Sequence, residues 1–224
     1  MANFSDFQFF TTVFNGCGNR VETGEFMIFD LSHTIKNGIP VYPGDPETAL
    51  FPEKNFESDG YRLTKLETGL HAGTHIDMPS HLAADARTSE DFPIHYFYGT
   101  ARIYTPDDDI ADIADNDIIL WKTGWEHRFG TDCYFSAHPT LPEAVCERLI
   151  RQNVRMLGLD TPSPDFAPYT LHKQLSEAGI FIVENLCGLD PLYHAVKNRP
   201  FSFFAVPLKI AAEASPVRAF AITE

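Results

Sequence analysis

The chain has 224 residues, 44% apolar and 21% charged, which suits a single domain with a substantial core. Its 17 Lys and Arg against 31 Asp and Glu leave a formal net charge of −14, which speaks against nucleic acid or an anionic membrane as partner, since both select basic patches. Cys17, Cys133, Cys146 and Cys187 form neither a CxxC pair nor a disulfide framework and predict reduced thiols in a cytoplasmic protein.

Residues 1–25 form an aromatic arm in which Phe4, Phe7, Phe10 and Phe14 recur at helical spacing, so a short helix packed on its own domain or on a neighbouring subunit is expected. With Asp6 and no basic leader or long apolar run, the arm reads as neither signal peptide nor membrane span. Met27 to Leu31 predicts a short strand, and the proline- and glycine-rich residues 32–46 predict a loop. Tyr61 to Leu70 alternates like a strand and leads straight into a histidine-rich stretch. Ala83 to Tyr98 reads as a loop with a helical turn, and residues 101–104 and 118–120 as strands around an acidic loop.

The second half is more regular. Thr140 as N-cap, Pro142 and Glu143 open a helix to about Gln152, with Val145, Leu149 and Ile150 on one face. Val154 to Leu159 predicts a strand, Tyr169 to Ala178 a helix closed by Gly179, and Ile180 to Val183 a strand buried on both faces. Phe201 to Leu208 and Val217 to Thr223 are the last predicted strands, so the alternation of helix and strand favours an α/β fold with a mixed sheet.

Function concentrates in His71-Ala72-Gly73-Thr74-His75-Ile76-Asp77-Met78-Pro79-Ser80-His81. His71, His75, Asp77 and His81 all fall at odd positions and share a face of an extended chain. A straight strand would hold the end histidines about 33 Å apart, so convergence needs a bend, and Gly73 and Pro79 provide a hinge on either side of His75 and Asp77. A single histidine would read as structural, whereas this spacing points to a metal. Imidazole and carboxylate ligands suit zinc first and manganese second. The His71/His75 pair brackets Gly-Thr and is followed by Pro79, which argues against the helical HExxH arrangement.

The stretch matches H-x-G-T-H-x-D-x-P-x-H at every defined position, and so the chain resembles the cyclase-like metal-dependent hydrolase family, which includes bacterial kynurenine formamidases and isatin hydrolases. Asp30 to His33, Pro40 to Asp45, Gly158 to Ser163 and Leu208 to Ala219 extend the resemblance from about residue 27 to the C-terminus. It implies a swivelling β/β/α fold, a homodimer or homotetramer, and one or two metal ions. By the same resemblance His71, His75 and Asp77 bind one metal, Asp77 also touches a second, His172 and Glu184 complete that second site, and His81 is the catalytic acid and base. Tyr42 stands where kynurenine formamidases typically carry a substrate-flanking tryptophan, and a tyrosine can still stack on an aromatic ring.

The expected activity is hydrolysis of a C–N bond in a small aromatic amide. A cyclic lactam or lactone is the alternative substrate, and a non-catalytic metal-binding assembly protein the alternative class. His33, His95, His127, His138 and His194 are expected to be structural, and Trp121 and Trp125 either wall the pocket or pack in the core.

Overall fold

A computed structural model describes residues 13–14, 20–21, 26–84, 87–110, 113–114, 117–197 and 199–223. β1 (Val13–Phe14) and β2 (Arg20–Val21) pair as an antiparallel ribbon. Phe4, Phe7 and Phe10 of the expected aromatic helix lie outside the described residues, while Phe14 belongs to a strand instead.

β3 (Met27–Asp30) is followed by a hairpin of β4 (Ala49–Lys54) and β5 (Leu63–Glu67), with α1 (Phe56–Asp59) as a single turn between them. Then come β6 (His75–Asp77), β7 (Tyr98–Tyr104), β8 (Ile118–Trp121), α2 (Glu143–Arg151) and β9 (Met156–Leu159). α3 (Thr170–Glu177), β10 (Phe181–Glu184), α4 (Leu189–Val196), β11 (Phe201–Phe204), β12 (Ala214–Pro216) and β13 (Phe220–Thr223) complete the chain.

Nine strands form one mixed sheet in the order β12-β6-β10-β9-β8-β7-β11-β13-β3. Its centre, β7 to β10, is parallel, and both flanks are antiparallel. The central strands read as continuous apolar runs because they are covered on both faces. Alternate side chains divide between two cores. Ile118, Leu120, Met156, Phe181 and Val183 pack with Leu189, Leu192 and Val196 of α4. Ile119, Trp121, Leu157, Leu159 and Ile182 pack with Cys146 and Leu149 of α2 and Leu175 of α3. Trp121 is therefore a core residue, and the indole N–H of Trp125 donates to the Tyr134 carbonyl at 3.0 Å.

Several expectations need correction. β5 ends at Glu67, so the strand does not run into the histidine stretch, of which only His75–Asp77 is strand. β4 was missed because it contains Pro52, which sits beside an irregularity in the β4–β5 register, where proline is tolerated. α2 starts after Pro142 as N-cap, not Thr140. α4 was missed because Pro191 reads as a breaker, yet it lies in the first turn, where its missing N–H costs nothing. The strand expected from Phe201 to Leu208 stops at Phe204, the one expected from Val217 to Thr223 begins only at Phe220 as β13, and β12 just before it was not expected.

Candidate metal centre

Two bends gather the histidine stretch. Gly73 has φ +63°, a left-handed conformation that favours glycine, and Pro79–His81 form a 3-10 turn that swings His81 back. Between the bends, β6 lies between β12 and β10, and its register places Glu184 opposite His75 and Ile182 opposite Asp77. His172 comes from the first turn of α3, where the Asp165 carboxylate accepts from the Leu171 N–H at 2.7 Å and holds the helix start.

The side chains converge on Asp77. Its Oδ1 lies 3.0 Å from His71 Nδ1 and 3.5 Å from His75 Nε2, and its Oδ2 lies 3.5 Å from His172 Nε2. Glu184 Oε2 lies 3.4 Å from His75 Nε2, and its Oε1 3.8 Å from His172 Nδ1. One ligand atom each from His75, Asp77 and Glu184 fall within 4.8 Å of one another, and so do those of His71, Asp77 and His81. The His81 ring centroid is 4.4 Å from that of His71 and 5.4 Å from that of His172. All six residues named from the sequence thus meet at one place.

Four of them, His75, Asp77, His172 and Glu184, are buried. Among the described residues, His75 Nε2, both Asp77 oxygens, His172 Nε2 and Glu184 Oε1 find no partner with hydrogen-bond geometry. Five orphaned donor atoms facing one another would be costly in a finished core, and a divalent cation is what this imidazole and carboxylate set fits.

Electrostatics agree. Burial works against a charged His71, but Asp77, Glu184 and Glu213 outweigh it and raise its pKa to about 9. His75 and His172 are likewise raised against burial, in both cases by Asp77 and Glu184. Burial would raise Asp77, but His75, His172 and His71 hold it well below the usual carboxylate value. Glu184 is pushed up, by burial first and then by Asp77. His81 is lowered by burial first, which wins against the nearby Asp77 charge, and His71, His172 and His75 lower it further.

A second layer of polar residues, missed from the sequence, fixes the ligands. His75 Nδ1 lies 2.9 Å from the Gly73 carbonyl, which can only accept, so Nδ1 carries the proton and Nε2 offers its lone pair to the cluster. Asn185 Nδ2 donates to the same carbonyl at 2.9 Å, and its Oδ1 accepts from the Tyr134 hydroxyl at 2.8 Å. Thr74 Oγ1 donates to the Asn185 carbonyl at 2.6 Å and accepts from the His33 N–H at 2.9 Å. An asparagine directly after a buried glutamate was the available signal for Asn185.

The six residues line a cavity of about 520 Å³ together with Tyr42, Phe135 and Tyr169. The hydroxyls of Tyr42 and Tyr169 lie 2.9 Å apart, and Phe135 meets the Tyr42 ring edge-on at 5.6 Å. Tyr42 therefore stands at the site, whereas Trp121 and Trp125 do not. The other histidines take structural contacts: His33 stacks on Phe129 at 3.7 Å, and His127 lies 2.7 Å from Asp190.

A mixed α/β sheet that presents a histidine and carboxylate cluster inside an aromatic-walled cavity defines a metal-dependent hydrolase site. The model of the Cyclase family, described as Putative cyclase, matches residues 29–106 and 104–166, and the chain belongs to that family. An uncharacterized protein of Methanocaldococcus jannaschii is 33% identical over 197 residues, covering 87% of this chain and 98% of that protein. A kynurenine formamidase of Bacillus cytotoxicus is 30% identical over 209 residues, covering 85% of this chain and 94% of the enzyme. Isatin hydrolase A from Labrenzia aggregata shares the fold with a TM-score of 0.75 at 23% identity, over 88% of this chain and 94% of that one.

Proposed function

We propose that this chain hydrolyses the C–N bond of a small aromatic amide, in the manner of an arylformamidase, with one or two divalent ions held by His71, His75, Asp77, His172 and Glu184. The observation that carries the reading is the convergence of these five side chains and His81 in one cavity with Tyr42, Phe135 and Tyr169. The similarity to a kynurenine formamidase supports the amide as substrate. Zinc is the first choice of ion and manganese the second.

A divalent cation bound there supplies Lewis acidity, polarising the scissile carbonyl and lowering the pKa of water. Asp77 would help hold the ion or ions, its Oδ1 lying towards His71 and His75 and its Oδ2 towards His172. His81 is the acid and base. Kept neutral by burial and its imidazole neighbours, it takes a proton from the attacking water and returns it to the leaving nitrogen. Tyr42 and Phe135 hold the aromatic ring of the substrate by stacking and edge contacts.

A homodimer or homotetramer is supported by the β4–β5 hairpin, which exposes Phe51, Phe56, Tyr61, Leu63 and Leu66. A lone two-stranded hairpin is marginal in water, and a second copy would cover these side chains. Free thiols at Cys133, Cys146 and Cys187 support the cytoplasm as location; Cys17 lies outside the described residues. No helix among the described residues is long and apolar enough to cross a membrane.

The shared fold of isatin hydrolase supports a second substrate class, a cyclic lactam or lactone cleaved by the same groups. Assays of the zinc- or manganese-loaded protein on N-formylkynurenine, isatin and simple aryl esters test the proposal. Fastest turnover of the formamide is expected, and preference for isatin would select the lactam reading. Metal uptake without turnover of any of them would select the non-catalytic alternative.

A further inference from the structure

His71, like His172, has a carboxylate at each ring nitrogen, but its outer partner is not one of the buried residues of the cluster. Its Nδ1 faces inward, 3.0 Å from Asp77 Oδ1, and its Nε2 faces outward, 3.4 Å from Glu213 Oε1. Residue 213 precedes β12, whose register against β6 pairs Ala214 with Asp77. The Glu213 carbonyl accepts from the Met78 N–H at 2.8 Å, so its backbone is fastened one residue beyond the Asp77 ligand. The carboxylate is thus delivered to His71 by the same ladder that builds the site.

We propose that Glu213 is the positioning residue of the metal centre, accepting the outer N–H of His71 so that the inner nitrogen is held towards the metal as a neutral, more basic ligand. The inference rests on the reading of the cluster as a metal site. A neutral imidazole carries one N–H, and if the inner nitrogen binds metal the outer one must donate. A carboxylate is the strongest acceptor available to it, and such partners typically change metal affinity about 10–100-fold. The Glu213 side chain is 45% exposed, so its replacement is expected to cost little stability. Its charge also joins those of Asp77 and Glu184, which favours a divalent cation over a monovalent one.

The test is a competition titration of zinc against a chromogenic chelator, using the metal-free full chain. Glu213→Ala is expected to weaken zinc binding about 10–100-fold while leaving the melting temperature of the metal-free protein unchanged. Glu213→Gln, which can still accept but carries no charge, is expected to fall between wild type and Glu213→Ala. Zinc affinity in Glu213→Ala equal to wild type would overturn the inference and leave the metal reading standing. A wild-type protein that takes up no zinc would overturn both.

Discussion

His75 and Glu184 are direct partners across the antiparallel β6–β10 pair, with Nε2 3.4 Å from Oε2. The contact is a property of sheet register, and a slip by one residue would turn one of them to the opposite face. Because β6 is also paired to β12 on its other side, the register is locked from both edges. The rigid part of the site is therefore built on strands, and the two bends of the histidine stretch bring His71 and His81 up to it.

Metal should stabilise the fold measurably. The buried carboxylates and imidazoles repel or strand one another without a cation, so binding relieves a native-state cost. At zinc concentrations about 100-fold above Kd the gain is about 2.7 kcal/mol, which for a chain of this size raises the melting temperature by about 5–10 °C. Calorimetry of metal-free and zinc-loaded protein checks this, and an unmoved transition would count against the site.

His81→Ala should retain its metal and lose turnover by about 10²–10⁴-fold. For the wild type, pH dependence follows from the lowered pKa of His81. Proton abstraction needs the neutral imidazole, which a depressed pKa preserves further into acid, so activity should hold at neutral pH and fall only through an inflection below the ordinary histidine value of 6.5. A kcat/KM profile with its acid limb above that value would contradict the assignment.

The Tyr42–Tyr169 hydroxyl pair has its own signature. Tyr42 is pushed up to about 12, first by the hydrogen bond with Tyr169, then by burial and the nearby Glu184 and Asp45 charges. Tyr169→Phe should bring the Tyr42 pKa down towards 10.0, read by ultraviolet difference titration against Tyr42→Phe. On the proposed function, replacing Tyr42 by alanine, which removes the ring, should raise KM for aryl amides more than it lowers kcat.

Gly73→Ala should destabilise the protein by about 1–2 kcal/mol in urea titrations, because a Cβ is disfavoured in the left-handed conformation. The new atom would also stand 3.0 Å and 3.1 Å from the Ile35 and Ile39 side-chain ends. The same change shifts the carbonyl that orients His75, so zinc affinity should fall with stability.

The proposed ligands His71, His75 and Asp77, with His81, were legible from the sequence because their spacing is local: alternation at 71, 75, 77 and 81 survives any fold that bends at Gly73 and Pro79. His172 and Glu184 were reached only through family resemblance, since their approach depends on α3 returning into β10. Central strands such as Ile118–Trp121 and Phe181–Glu184 showed as apolar runs because both faces are buried. β4 and α4 did not show, since Pro52 and Pro191 are breakers locally and tolerated only by position. Tyr134 was illegible for another reason, as it acts on Gly73 through Asn185 across long sequence separations, and Asn185 offered only its place beside Glu184 as a signal.

The central claim is most directly tested by hydrolysis of N-formylkynurenine before and after chelation. Activity in the zinc- or manganese-loaded protein, abolished by chelator and by His75→Ala and restored to the wild type by added ion, is the expected result. Turnover that survives both chelation and His75→Ala would contradict the assignment of this cluster as the catalytic metal centre.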